Sequence, residues 1–349
     1  MTEKILFIGG CGHGKPTTNG VAAKNYYLLS RLKELFKDVK TVDTDGWKHN
    51  PLILLRLCLL LSFFQKHKIV ISLNTPSAYK FICVANKFFP RRRLCYFVIG
   101  GVLADYMREG KVLLQPYKCV DWFMVESLQM KEQMQELGFS NVIHLPNFKH
   151  IDYMPDKRPH SSAEVTRFVF LSRIIPEKGC NYIFDALDTL NAQGMAERIA
   201  VHFYGTIDDG YRQEFTQKTA AVPNAEYKGF LDLRKTENYD ILADYDAMLF
   251  PTYWPGEGFP GIIVDAFIAG LPVIATDWAH NSEIIEHQQT GIIIPPHNAE
   301  DLAKQMLFFT ENPSELQRMS SNCQNLAQQY DTRHVLTEEL MGMILFKNS

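Results

Sequence analysis

The stretch PTYWPGEGFPGIIVDAFIAGLPVIATD, residues 251–277, reads as a strand end, a glycine-rich loop, a helix and a second strand. The strand closes at Pro251, and Gly256, Gly258 and Gly261 let backbone come close to a ligand before the helix begins. Pro260 falls where the first helical residue would be, so the amides of Gly261, Ile262 and Ile263 are expected to face an anion. Glu257 lies in the loop and Asp265 two turns into the helix. One carboxylate is placed for a sugar and the other for a ribose.

Upstream, SRIIPEKGCNYIFDAL (172–187) is another strand, turn and helix, with Arg173 and Lys178 flanking a tight Pro176 to Gly179 turn. Two cations at a strand end and a helix N-terminus suit a diphosphate. Alone, the turn would serve equally as a solvated one; the glycine loop beyond it decides for the ligand. The same alternation runs through RFVFLS, RIAVHFYG, AMLFP, PVIATD and GIIIPP with helical patterns between them, which is a parallel sheet covered on both faces. The first half repeats it at KILFIGG, KTVDT, KIVISL, LCYFVIG, WFMVES and NVIHLP. The expected fold is therefore α/β, two doubly wound Rossmann-like domains facing a cleft. Residues 1–150 form the first of these domains, 151–165 a linker rich in Pro, Ser and charge, and 166–330 the second. Residues 331–349 form a last amphipathic helix that docks back on the first domain.

The chain has 349 residues, 46% hydrophobic and 21% charged, with a net charge of -3, enough for two cores. That small net charge hides an asymmetry. Residues 1–150 carry 21 Lys and Arg against 11 Asp and Glu, whereas 151–349 carry 15 against 28. A basic first half with Arg91-Arg92-Arg93 and the apolar run Leu52 to Phe64 points to an anionic partner, an inner-leaflet lipid surface or a lipid-linked diphosphate. The run contains Arg56 and as a helix spans about 20 Å, short of the ~30 Å hydrocarbon core. Its alternative is an ordinary core helix. Nucleic acid is not expected, since no recognition motif accompanies the charge.

Seven scattered cysteines without a CxxC pair fit a reduced, cytoplasmic compartment, and MTEKILFIGG reads as a first strand, not a secretory segment. Other motifs fail on inspection. Gly9, Gly14 and Lys15 have P-loop spacing, but Pro16 stands where a Ser or Thr would hold magnesium. The pairs Asp43/Asp45 and Asp244/Asp246 are short matches to a metal motif, and the second pair precedes a buried strand. No resident metal or cofactor is expected.

With these residues in place, the segment from about Arg167 to Met306 resembles the retaining nucleotide-sugar glycosyltransferases of family four, which have the GT-B fold and build bacterial surface polysaccharides. Their R-x4-KG element matches Arg173, Lys178 and Gly179, and their Glu, seven residues, Glu element matches Glu257 but ends in Asp265, one methylene shorter. The resemblance implies that Arg173 and Lys178 hold the donor diphosphate, that Glu257 touches the transferred hexose and that Asp265 binds the ribose. It also implies donor contacts at Gly20, Gly205, Gly229, Phe230, Gly258, Phe259, Gly261, Ile262 and Ile263. Asn281 to Glu283 and Asn147 fit its pattern. Where such enzymes carry a first-domain His, the strand end here reads CYFVIGG without one; His13 is a candidate substitute, although a loop His is more often merely exposed, and no first-domain catalytic residue is assigned.

The expected activity is sugar transfer from a nucleoside-diphosphate donor, UDP-linked in preference to GDP-linked, to a saccharide or lipid-linked acceptor. Retention without metal is expected, at the cytoplasmic side of a membrane. A nucleotide-sugar epimerase of the same fold, or a silent nucleotide-sugar-binding partner, are the alternatives.

Overall fold

Sheets covered by helices on both faces need strands that are apolar on both sides, and Ile5 to Ile8, Phe168 to Leu171 and Ala247 to Phe250 are buried throughout. The computed structural model describes residues 4–12, 20–47, 50, 52–63, 67–89, 94–157 and 165–346. His13, the P-loop-like Gly14 to Pro16, Arg91 to Arg93 and linker residues 158–164 lie outside them, as does Phe64. The chain divides into two compact units, one formed by Met1–His150 with Asp331–Ser349 and the other by Ile151–Tyr330.

In the first unit the elements run β1 (Lys4–Gly9), α1 (Gly20–Leu35), β2 (Asp38–Asp43), α2 (Leu52–Phe63), β3 (Lys68–Asn74), α3 (Thr75–Phe88), β4 (Leu94–Ile99), α4 (Leu103–Arg108), β5 (Val120–Val125), α5 (Leu128–Glu136) and β6 (Val142–His144). The sheet is parallel in the order β2-β1-β3-β4-β5-β6. One face carries the packing of α2 to α5 around Leu57, Phe81, Leu103 and Met130. The other is covered by α1 and by residues from beyond 331, with Val335, Leu336, Met341 and Ile344 packed on Phe7, Leu28 and Phe97. The Cys95 thiol donates to the Ile344 carbonyl at 3.1 Å. At the sheet's C-terminal edge Lys24 and Glu126 form an ion pair at 2.7 Å, 2% and 4% exposed, and Lys24 also donates to the Val98 carbonyl. Sequence reading did not single out this pair.

The second unit runs β7 (Thr166–Leu171), α6 (Cys180–Ala192), β8 (Ile199–Tyr204), α7 (Arg212–Ala221), β9 (Ala225–Gly229), α8 (Asn238–Ala243), β10 (Ala247–Phe250), α9 (Gly261–Ile268), β11 (Val273–Thr276), α10 (Asn281–Ile284), β12 (Gly291–Ile294), α11 (Ala299–Glu311) and α12 (Pro313–Ala327); α13 (Thr332–Val335) and α14 (Glu338–Phe346) return to the first unit. Its parallel sheet has the order β12-β11-β10-β7-β8-β9. α6 shows how these helices form: Ile183, Phe184, Leu187 and Leu190 recur at helical spacing and are all buried. The order reverses between β7 and β10, so a ligand is expected beyond the carboxyl ends of those two strands. Their pairing covers only Ala247 and Met248, although β7 continues to Leu171 and β10 to Phe250.

Candidate functional site

The chain leaving β7 carries Arg173 and Lys178, and the chain leaving β10 carries Glu257, so the switch point gathers the three side chains. Gly179 makes the approach close. It sits at φ 85°, and a Cβ there would lie 2.1 Å from the Pro251 carbonyl oxygen, which no side chain tolerates. The 3-10 turn Pro176–Lys178 is stitched to the β10 loop by the Tyr253 amide donating to the Glu177 carbonyl at 2.8 Å.

Lys178 is 6% exposed, and its ammonium pairs with Glu257 Oε2. Burial pulls the Lys178 pKa below its ordinary 10.5; Glu257 opposes that shift and the Arg173 charge adds to it. The Thr252 hydroxyl, fully buried, donates to the same Glu257 oxygen at 3.0 Å. The Arg173 guanidinium stands over the Trp254 ring, 5.2 Å from its centre. Thr252 and Trp254 were not picked out from sequence, although both follow the strand end at Pro251, where side chains of this edge are expected.

Gly205 and Gly229 end the two strands beyond β7 and are joined by the Gly205 amide donating to the Gly229 carbonyl at 2.8 Å. Gly205 has φ 147°, and a Cβ would lie 1.7 Å from the Ser172 carbonyl oxygen, so this glycine lets β8 end against the backbone that leads to Arg173. Phe230 is 45% exposed beside it.

Two expectations about the α9 start are corrected. Pro260 is the N-cap residue, with φ -71° and ψ 104°, and Gly261 is the first helical residue. The Ile263 amide donates to the Pro260 carbonyl at 3.0 Å, because the first turn tightens in the 3-10 manner. The amides offered at the helix end are those of Gly261 and Ile262. Gly258 lies in the preceding loop, while Phe259 turns its ring inward, 5.6 Å from that of Tyr330. Asp265 is 3% exposed, and its Oδ1 accepts from the Tyr239 hydroxyl at 2.6 Å.

Other singled-out residues do structural work. Asp246 takes the Arg167 amide at 2.7 Å, Asp43 takes the amides of Cys11 and Asp45 at 3.0 Å, and Asn281 donates to the Thr276 carbonyl at 3.0 Å. Asn147 caps its own neighbour, the Phe148 amide. Gly20 opens α1 in the other compact unit. Among the described residues no three His, Cys, Asp or Glu side chains are grouped to hold a metal ion.

Residues 155–326 match the family described as Glycosyl transferases group 1. The chain is 23% identical over 215 residues to a poly(ribitol-phosphate) alpha-N-acetylglucosaminyltransferase of Staphylococcus aureus, covering 61% of this chain and 41% of that protein. It is 23% identical over 203 residues to WcaL, a putative colanic acid biosynthesis glycosyltransferase of Escherichia coli, covering 54% and 47%. The chain thus spans less than half the length of these curated relatives. Among solved structures, Anabaena Alr3699/HepE in complex with UDP is similar with a TM-score of 0.71 at 19% identity, covering 97% of this chain and 98% of that one. A sucrose-phosphate synthase of Thermosynechococcus elongatus reaches 0.74 at 13% identity, covering 98% of each. These likenesses give the fold, which is GT-B.

Proposed function

We propose, for a chain whose residues 155–326 match the family described as Glycosyl transferases group 1, that it transfers a sugar from a nucleoside-diphosphate donor to a saccharide or lipid-linked acceptor. The observation that carries this reading is the buried Lys178 ammonium, paired with Glu257 and beside Arg173, at the switch point of the second sheet. A cation held out of water interacts strongly with charge developing on a leaving diphosphate. Arg173 and the open end of α9 at Gly261 and Ile262 add to that field. Together they supply the positive charge a divalent ion would otherwise provide, so transfer proceeds without metal.

In this mechanism the diphosphate draws Lys178 from Glu257 as the donor binds. The freed Glu257 carboxylate then accepts from a hexose hydroxyl, with Thr252 keeping it oriented. Asp265 and Tyr239 hold the ribose end, and Gly205, Gly229 and Phe230 lie toward the base. Retention follows the resemblance to family four, and a UDP-linked donor is supported by the similar structures solved with UDP and UDP-glucose. The acceptor belongs to the basic first unit, whose charge suits a lipid-linked diphosphate or an anionic membrane face.

The test is incubation with UDP-sugars and candidate acceptors, followed by mass analysis. Release of UDP with a glycosylated product, undiminished by EDTA, is the expected result. An epimerised donor without UDP release would overturn the transferase reading, and a metal-restorable loss in EDTA would overturn metal independence.

A further inference from the structure

We propose that the outward face of α2, with the adjoining ends of α3 and of the 3-10 turn Gln115–Cys119, seats the first unit on an anionic lipid bilayer. This rests on the anionic-partner part of the functional reading and gives it a place on the molecule.

α2 has two apolar faces. Leu57 and Leu61, each 2% exposed, enter the core. Leu52, Leu55, Leu59 and Phe63, at steps of three, four and four residues, form one stripe on the other side and are 66%, 56%, 49% and 78% exposed. The stripe is about 16 Å long. A soluble surface rarely leaves so much apolar area uncovered without a partner.

The connectivity carries the stripe to a sheet edge. α2 leads to β3 and α3 leads to β4, so Phe63 and Phe88 both end where strands begin; Phe88 is 62% exposed. The turn Gln115–Cys119 leads into β5 at the same edge and follows Leu113 and Leu114, 61% and 38% exposed. Between α3 and this turn opens a cavity of about 510 Å³ lined by Cys83, Asn86, Lys87, Gln115, Lys118 and Cys119. Lys87, Lys118 and exposed apolar side chains thus belong to segments that lead into the starts of β3, β4 and β5.

Charge selects the occupant. No Asp or Glu occurs from residue 46 to residue 104, a span holding nine Lys and Arg. An anionic bilayer offers apolar depth to the stripe and negative headgroups to the lysines, with the helix lying in the interface plane. A second copy of the chain would set like charges against each other. No helix among the described residues is long and apolar enough to cross a membrane, so the seating is shallow.

The experiment is sedimentation of the full chain with vesicles of phosphatidylcholine alone and of phosphatidylcholine with phosphatidylglycerol. Binding to the second and not the first is expected, weakened at least about tenfold in Leu55→Ser/Leu59→Ser/Phe63→Ser and again in Lys87→Glu/Lys118→Glu. Phe63→Trp reports the site directly, its emission moving to shorter wavelength on anionic vesicles. Failure of the native chain to bind anionic vesicles, binding unchanged in both variants, or an unmoved Trp emission overturns the proposal. So does a native dimer lost in the triple variant without vesicle binding, which assigns the stripe to a second copy. UDP-induced thermal shift, measured on every variant, verifies folding and keeps the donor reading separate: vesicle binding without a UDP shift would sink that reading and leave this one standing.

Discussion

The ammonium of Lys178 and the carboxylate of Glu257, 79 residues apart in the chain, meet as an ion pair whose side chains are 7% and 10% exposed. A buried pair of this kind contributes little net stability by itself, but removing one partner strands the other. In the proposed mechanism the donor makes the exchange, replacing one anion beside Lys178 by another.

Lys178→Ala removes a charged contact of about 1.5–3 kcal/mol from the leaving diphosphate, so kcat/KM for UDP release should fall roughly 10- to 100-fold. Arg173→Ala should act in the same direction with the melting temperature kept, because Arg173 is exposed. Native turnover in both variants would remove them from the diphosphate site.

The pH dependence follows from burial. Folded Lys178 holds its proton less tightly than the unfolded chain does. Between its lowered pKa and 10.5 the unfolded state binds more protons, so this group's penalty on stability is full at lower pH and fades as pH rises across that window. Activity runs the other way, falling as Lys178 loses its charge. A pH profile of kcat/KM should show an alkaline limb below 10.5, absent in Lys178→Arg.

Glu257→Gln keeps the shape and leaves an acceptor for Thr252, but it removes the charge that holds the Lys178 pKa up. The alkaline limb should move to lower pH and kcat should fall. A limb unchanged in position would mean that the pair does not set the Lys178 titration.

Asp265 and Tyr239 separate binding from stability. Asp265→Ala breaks the buried hydrogen bond from the Tyr239 hydroxyl and should cost about 1–3 kcal/mol of stability. Asp265→Asn keeps an acceptor and should fold normally while weakening UDP binding in calorimetry. Unchanged affinity in the Asn variant would exclude Asp265 as a ribose contact.

Gly179→Ala should be severe. The left-handed φ of 85° costs about 1–3 kcal/mol for a residue with a side chain, and the added Cβ would lie 2.1 Å from a backbone oxygen. Separation of α6 from the end of β10 would follow, so UDP binding should fail along with stability. Calorimetry should show the loss in the second unit's transition.

The sequence by itself determined the elements, because both strands and helices announce themselves over short windows. Apolar runs such as RFVFLS and IFDAL separated by turns were enough for the α/β class, and Arg173, Lys178 and Glu257 stood at strand ends where a doubly wound sheet places its ligands. Tertiary structure decided what those residues touch. That Glu257 is held by Lys178, that Arg173 lies over Trp254, and that Asp265 is closed in with Tyr239 depend on pairs 26 to 81 residues apart. The α9 start shows the limit at close range: Pro260 fits either side of a helix boundary by its fixed φ, and only the folded loop made it the cap and spent the Ile263 amide. In α2, leucine on every face gave no periodicity from which to tell the buried side from the exposed one. Which leucines face solvent was fixed by where the helix lies on its sheet, since burial is a property of neighbours the local sequence does not contain.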